Sequence, residues 1–345
     1  MVTTRLVIHS GGHKTGSSAI QRYLFQQREQ LGDAIYLHRD TANSSLWMLH
    51  AFKRDLAELP AFRHLQLTET DVCELRERAR ERLHSLAMQC QASLAVLSAE
   101  AIASFSLGEL NEMKSFLAPL FSRVEIHQYF RPMKSRMESA YQERLKHRFA
   151  SLEKKFHLGY NRRIELLDEI FGRENVNIHK YDATEFPGGD VVAHFLSALD
   201  LPVEQSALSQ SYNEGLSLPA VQLLYVYRKF NPSLTPADRA IVKQLSHMPG
   251  DPFRFHSALY HELLANGPNA VFLFEQRVGF SITENLTADD AIGIRSEQDL
   301  AEIPQQSLRW LSDTLSRPGG TTVVPPADAD LSAVAALVAS LHEPG

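Results

Sequence analysis

The sequence predicts an α/β protein: three layers, α/β/α, around a central and mostly parallel sheet, with extra helices in the C-terminal part. Three observations predict it. Apolar runs at 6–9, 34–37, 94–97, 124–130 and 176–181 alternate with stretches of helical periodicity. Such alternation belongs to parallel strands covered by helices on both faces. The pattern turns helical beyond 181, and a chain of 345 residues that is 44% hydrophobic can bury a large core.

Taken in order, the first run ends in a loop carrying Gly11, Gly12 and Gly16 with a single lysine, and a helix follows. Between the second and third runs, 70–91 sets Val72, Leu75, Ala79, Leu83 and Leu86 on one stripe, an amphipathic packing helix. Its RERARER run reads as a solvated face. The fourth run leads into Arg131-Pro132, and proline at a first helical position opens a helix over 133–146. Later helices are expected at 188–199 and 217–230, with turns at Asn231-Pro232 and Pro249-Gly250. The segment 317–328, RPGGTTVVPPAD, reads as an exposed linker to a short apolar helix at 331–341. The expected organisation is one α/β domain over 1–316, helical from about 183, then linker and helix over 317–345. No repeat of solenoid period is present.

A formal net charge of −6 argues against a nucleic-acid binder, so an anionic ligand has to be held by a local cluster of Lys and Arg. Cys73 and Cys90 lack metal-ligand or disulfide spacing and are expected to be reduced, partly buried thiols. No basic and apolar leader precedes the first run, and no apolar run approaches the roughly 18 residues of a membrane helix. The expectation is a cytoplasmic protein without a transmembrane segment, meeting a membrane peripherally if its substrate is lipid-linked.

The first strand-loop-helix junction is the candidate site. It presents unpaired backbone N–H groups and the positive end of a helix dipole at one point, which suits a phosphate or sulfate. Gly11 and Gly16 stand apart as in a Walker loop, and Ser18 falls where that motif keeps a magnesium-binding hydroxyl. Ser17, however, occupies the Walker lysine position; the lysine has moved to Lys14, inside the loop. Arg131 suggests a second anion site, at the carboxyl end of a strand, where open α/β sheets place their ligands. Ser135 and Ser139 follow at four-residue steps on the same helix stripe, offering a hydroxyl beside an arginine fork.

The stretch 13–21, HKTGSSAIQ, resembles the 5'-phosphosulfate loop of bacterial sulfotransferases, H-K-T-G-[ST]-[ST]-x-x-Q, at every position. Arg131 followed eight residues later by Ser139 is similar to the pair with which that family holds a 3'-phosphate. ESAY at 138–141, LSAE at 97–100, FGRENV at 171–176 and NEGLS at 213–217 resemble further segments, so the likeness runs from about 6 to 230. The late R-K-G segment of the cytosolic enzymes has no counterpart here. The resemblance implies a P-loop NTPase-like fold and transfer of a sulfuryl group from 3'-phosphoadenosine 5'-phosphosulfate to a hydroxyl, with 3'-phosphoadenosine 5'-phosphate as product and no metal. It implies a glycan or other cell-envelope metabolite as acceptor. Gly12, Lys14, Thr15, Gly16, Ser17 and Ser18 are then expected at the 5'-phosphate, with Arg131 and Ser139 at the 3'-phosphate.

In-line sulfuryl transfer builds charge on the bridging oxygen of the leaving phosphate, and one preorganised donor there is worth about 3 kcal/mol. Lys14 is the expected donor. The attacking hydroxyl needs a base: Glu100 is the first candidate and His13 the second. Glu100 equally suits a hydrogen bond to Ser98 that shapes the loop, or a metal carboxylate. His9 and His13 are not aligned as a metal pair, and His50 reads as a packed residue. Two other functions fit parts of the pattern, a small-molecule kinase using ATP and magnesium and a non-catalytic partner-binding protein with a degenerate nucleotide fold. The lysine offset disfavours the first; the joint presence of Lys14, Arg131 and Ser139 disfavours the second.

Overall fold

Short apolar segments bounded by turns form strands β1 (Arg5–His9), β2 (Ala34–Tyr36), β3 (Leu94–Ser98), β4 (Arg123–Phe130) and β5 (Val176–Lys180). All pair in parallel, in the order β2-β3-β1-β4-β5. Arg5 stands opposite both Leu94 and Arg123, so β1 is the central strand. The computed structural model describes residues 4–12, 14–38, 40–152, 155–157, 159–203, 215–265, 267–316 and 330–342. Its α-helices are α1 (Ser17–Gln26), α2 (Ser45–Phe52), α3 (Glu69–Gln89), α4 (Leu107–Leu117), α5 (Met133–His147), α6 (Tyr160–Phe171), α7 (Val191–Ser197), α8 (Leu218–Phe230), α9 (Asp238–Leu245), α10 (Ser257–Leu263), α11 (Pro268–Val278), α12 (Gln305–Leu315) and α13 (Leu331–Ala339).

The chain divides into two compact units, each assembled from separated segments. One comprises Met1–Arg131, Gly159–Tyr212 and Phe272–Ile282; the other Pro132–Leu158, Asn213–Val271 and Thr283–Gly345. The first holds the sheet. Successive strand residues point to opposite faces. Leu6, Ile8, Ala95, Leu97 and Ile126 therefore pack with α2, α3, α4 and α6, while Val7, Val96 and Tyr36 pack with α1 and α7. This is the expected three-layer α/β/α arrangement. The chain leaves β1 for α1 on one face and returns from β3 through α4 on the other, so the carboxyl ends of these strands open a crevice, the usual ligand position in such sheets.

Helix boundaries follow local chemistry. Thr68 and Asp71 close the start of α3 with a reciprocal capping box, and Ser106 and Glu109 do the same for α4. The RERARER segment departs from a purely solvated face: Arg76 donates to Lys53 O, and Arg80 donates to Ala51 O and pairs with Glu112. In the second unit, Tyr141, Phe253 and Phe255 form an aromatic core. Arg228, wholly buried, donates there to Leu145 O and Lys146 O and pairs with Asp238. Residues 317–328, the expected linker, lie outside the described residues. Among the described residues no helix is long and apolar enough to cross a membrane.

Candidate functional site

The loop between β1 and α1 is built from backbone conformations that side chains resist. Gly11 (φ 65°), Lys14 (φ 63°) and Gly16 (φ 73°) all sit in the left-handed region. A Cβ on Gly11 would stand 2.7 Å from Glu100 Cγ, and one on Gly12 would stand 2.5 Å from Tyr129 O. A Cβ on Gly16 would meet Val191 Cγ1 at 2.6 Å. These glycines let the loop lie against the β3 and β4 ends and α7. Thr15, buried, locks the turn from within: its Oγ1 donates to Gly12 O (2.8 Å) and accepts from Gly12 N–H (3.1 Å).

Helix α1 starts from Gly16 with no side-chain cap and no acidic residue in its first turn, in contrast to the boxed α3 and α4. Its positive amino end is thus left open toward the loop. One turn apart on α1, Ser17 Oγ and Gln21 Nε2 are buried and have no hydrogen-bond partner among the described residues. Ser18 is exposed.

Several of the expected site residues converge here. Arg131, immediately after β4, donates from Nη1 to Lys14 O (3.3 Å), and its guanidinium lies 5.6 Å from the centre of the Tyr181 ring. Tyr160 Oη donates to Arg131 O (2.9 Å), fixing the strand end. The Lys14 side chain is exposed. Glu100 opens the short helical turn Glu100–Ser104 after β3 and abuts Gly11, half-buried, with no hydrogen-bond partner for its carboxylate among the described residues. Ser98 does not bind it: Ser98 Oγ pairs with His9 Nδ1 at 2.7 Å.

His13 lies outside the described residues. Ser135 and Ser139 stand on α5, in the second unit, both half-buried, and Ser135 Oγ donates to Pro132 O. Glu138 of the ESAY segment is buried in that unit, accepting from Phe255 N–H (2.9 Å), so this part of the motif serves packing there. His50 is buried against Phe62. Cys73 is exposed, not partly buried as expected, and Cys90 is half-buried; both are free. Residues 213–214 of the NEGLS segment lie outside the described residues, while Ser217 caps α8. Among the described residues no group of three or more His, Cys, Asp or Glu side chains is placed to hold a metal ion.

Sequence reasoning missed Tyr181, which had a usable signal in its place directly after β5, at the carboxyl edge of the sheet.

No family model matches the chain, and no curated protein does. Among solved structures it is similar to a sulfotransferase from Alicyclobacillus acidocaldarius, with 14% identity and a TM-score of 0.31, over 70% of this chain and 96% of that one. A likeness this distant says nothing of what the chain does.

Proposed function

We propose that the chain transfers a sulfuryl group from 3'-phosphoadenosine 5'-phosphosulfate to a hydroxyl, on a glycan or another cell-envelope metabolite. One observation carries the reading: a tight loop built on glycines leads into the open amino end of α1 and is tied through the Lys14 carbonyl to Arg131. The orphaned Ser17 Oγ and Gln21 Nε2 fit an oxyanion-rich guest. The backbone of Thr15 to Ser18 would hold the 5'-phosphate, and Arg131, with Ser139 by the spacing of the sequence, the 3'-phosphate.

The donor nucleotide supplies an activated sulfuryl group. Lys14, exposed at the loop, neutralises the charge that grows on the leaving phosphate. Glu100, against the loop, takes the proton of the attacking hydroxyl. The serine in the Walker lysine position and the lysine displaced to 14 favour this chemistry over ATP-dependent phosphoryl transfer.

Thermal unfolding tests the reading. A ligand at a hundredfold its Kd stabilises by about 2.7 kcal/mol, or about 5–10 °C in Tm for a unit of this size. The shift is expected with 3'-phosphoadenosine 5'-phosphate and without magnesium. A shift with ATP-magnesium alone would refute the proposal. Lys14→Ala is expected to lower kcat by about 10²–10³-fold with donor KM little changed, whereas Arg131→Ala weakens donor affinity by about 10–100-fold.

A further inference from the structure

Behind the loop lies a half-buried arginine that pairs with no carboxylate among the described residues. Arg163, in the first half of α6, donates from Nη2 to Ile102 O (2.8 Å) and at longer range from Nη1 to Phe105 O (3.5 Å). Its Nε reaches Gln128 Oε1 (3.4 Å), and the same oxygen accepts from Ser10 Oγ at 3.0 Å. Ser10 is the residue before Gly11, and its N–H is held by His127 O (3.1 Å). Ile102 lies in the turn that Glu100 opens.

Among the described residues no carboxylate pairs with this guanidinium, and burial pushes it down to about 10. Desolvating an unpaired cation is costly, and an apolar side chain would fill a merely structural position without that cost. The planar fork offers what an apolar residue cannot: donors in three fixed directions. Here they address the turn after β3, through two carbonyls, and the root of the β1 loop, through Gln128.

We propose that Arg163 is a positioning residue, whose fork holds the Glu100 turn and the Ser10 root of the loop in one register, so that base and donor loop close on the same point. The assignment of Glu100 as base rests on the function proposed above.

Arg163→Met keeps the bulk and removes the fork. With misplacement of a catalytic group by about 1 Å costing on the order of 10²-fold, kcat is expected to fall by about that factor, with donor KM rising less than in Gln128→Leu, since the Ser10–Gln128 bond survives. Arg163→Lys, reaching a single carbonyl, restores part of kcat. In a Glu100→Gln background, Arg163→Met should cost less than about twofold further, because the group it positions is gone. Multiplying losses in that background would overturn the proposal.

Hydrogen exchange reads the clasp without substrate. The Phe105 amide bonds to Ile102 O, the carbonyl Arg163 also holds. In Arg163→Met, exchange is expected to quicken at 102–105 and 10–12, with the rest of the first unit unchanged. Unchanged exchange in those segments, or a uniform increase, would overturn the proposal even in a chain that fails the nucleotide-binding test. Gln128→Leu, a milder variant, cuts only the loop arm and should raise donor KM with kcat retained; a fall in kcat alone would contradict the division of labour.

Discussion

Acid should destabilise the first unit through its buried histidines. His9 is wholly buried on β1, bonded to Ser98 Oγ (2.7 Å) and packed 5.2 Å from the Phe195 ring centre. On the neighbouring strands, His127 Nδ1 and His179 Nε2 share a hydrogen bond (3.0 Å), and His194 of α7 pairs with Tyr129 Oη at 2.7 Å. One ring nitrogen of the His127–His179 pair has to accept, so the two cannot both be imidazolium. Burial, reinforced by the neighbouring His127, pushes His9 down to about 3. His179 is held well below the ordinary value by burial and by the other three imidazoles, and His194 is lowered by burial and His127, against the opposing charge of Glu185. Glu125, 3.9 Å from His127, is itself held low by the neighbouring His127, Arg123 and Arg5.

The folded values lie below the unfolded one, so the unfolded chain binds more protons in between. Stability is therefore full above about pH 6.5 and is lost as pH falls toward the folded values. From pH 7 to pH 5, His9 alone accounts for about 2 kcal/mol. His179 and His194 act with the same sign. Denaturant unfolding of wild type and His9→Gln at pH 7, 6 and 5 measures it: the variant starts less stable, and the gap closes by about 2 kcal/mol at pH 5. Parallel pH profiles would refute the reasoning, since the neutral amide removes the titrating group and leaves the rest of the pH response in place.

Glu138, in the second unit, is pushed up to about 7 by burial, against Phe255 N–H, Lys134 and Arg254. Its raised folded value gives stability that is full below about pH 4.5 and lost as pH rises through 7, so Glu138→Gln should gain on wild type by about 3 kcal/mol between pH 4.5 and pH 8 in unfolding measurements. Gly12→Ala drives a Cβ to 2.5 Å from Tyr129 O and is expected to cost about 1–3 kcal/mol by denaturant unfolding. Lys14→Gly relieves a left-handed non-glycine backbone; thermal unfolding should show a gain of about 1 kcal/mol while kcat falls by about the same 10²–10³-fold as in Lys14→Ala.

Strands were the most legible elements. The run expected at 94–97 is β3 at Leu94–Ser98, buried throughout, because strands buried on both faces carry an apolar signal bounded by turns, and 176–181 is the edge strand β5 at Val176–Lys180, half-buried beyond Val176. The order β2-β3-β1-β4-β5 is not written locally, and neither is the interleaving of the two units, which depends on contacts between distant segments. At the site, Gly11 and Gly16 were readable from spacing, since their left-handed backbone favours glycine, and Lys14 from its displacement within the loop. Arg163 was not: it reaches Ile102 and Gln128, far away in sequence, and a lone arginine on a helix has no periodic signature.

Several departures from ordinary folding rules lie at one edge of the first unit. Elsewhere in that unit α3 and α4 are boxed at their starts, Lys53 is paired with Glu109 and Arg277 makes two bonds to Asp168, although α2 and α6 also start uncapped and Gln66 and Asp200 are also left-handed. At the carboxyl end of β1, a lysine adopts a glycine conformation, a helix starts without a cap, and Ser17 Oγ and Gln21 Nε2 are buried partnerless. A guanidinium without a counter-ion stands behind them. Each is unfavourable by itself, and strain of this kind persists where the surrounding structure over-determines it. An incoming oxyanion would offset several of these costs together: it supplies acceptors to the helix amino end and to the orphaned donors. The same arrangement without such a guest has no packing advantage that would preserve it.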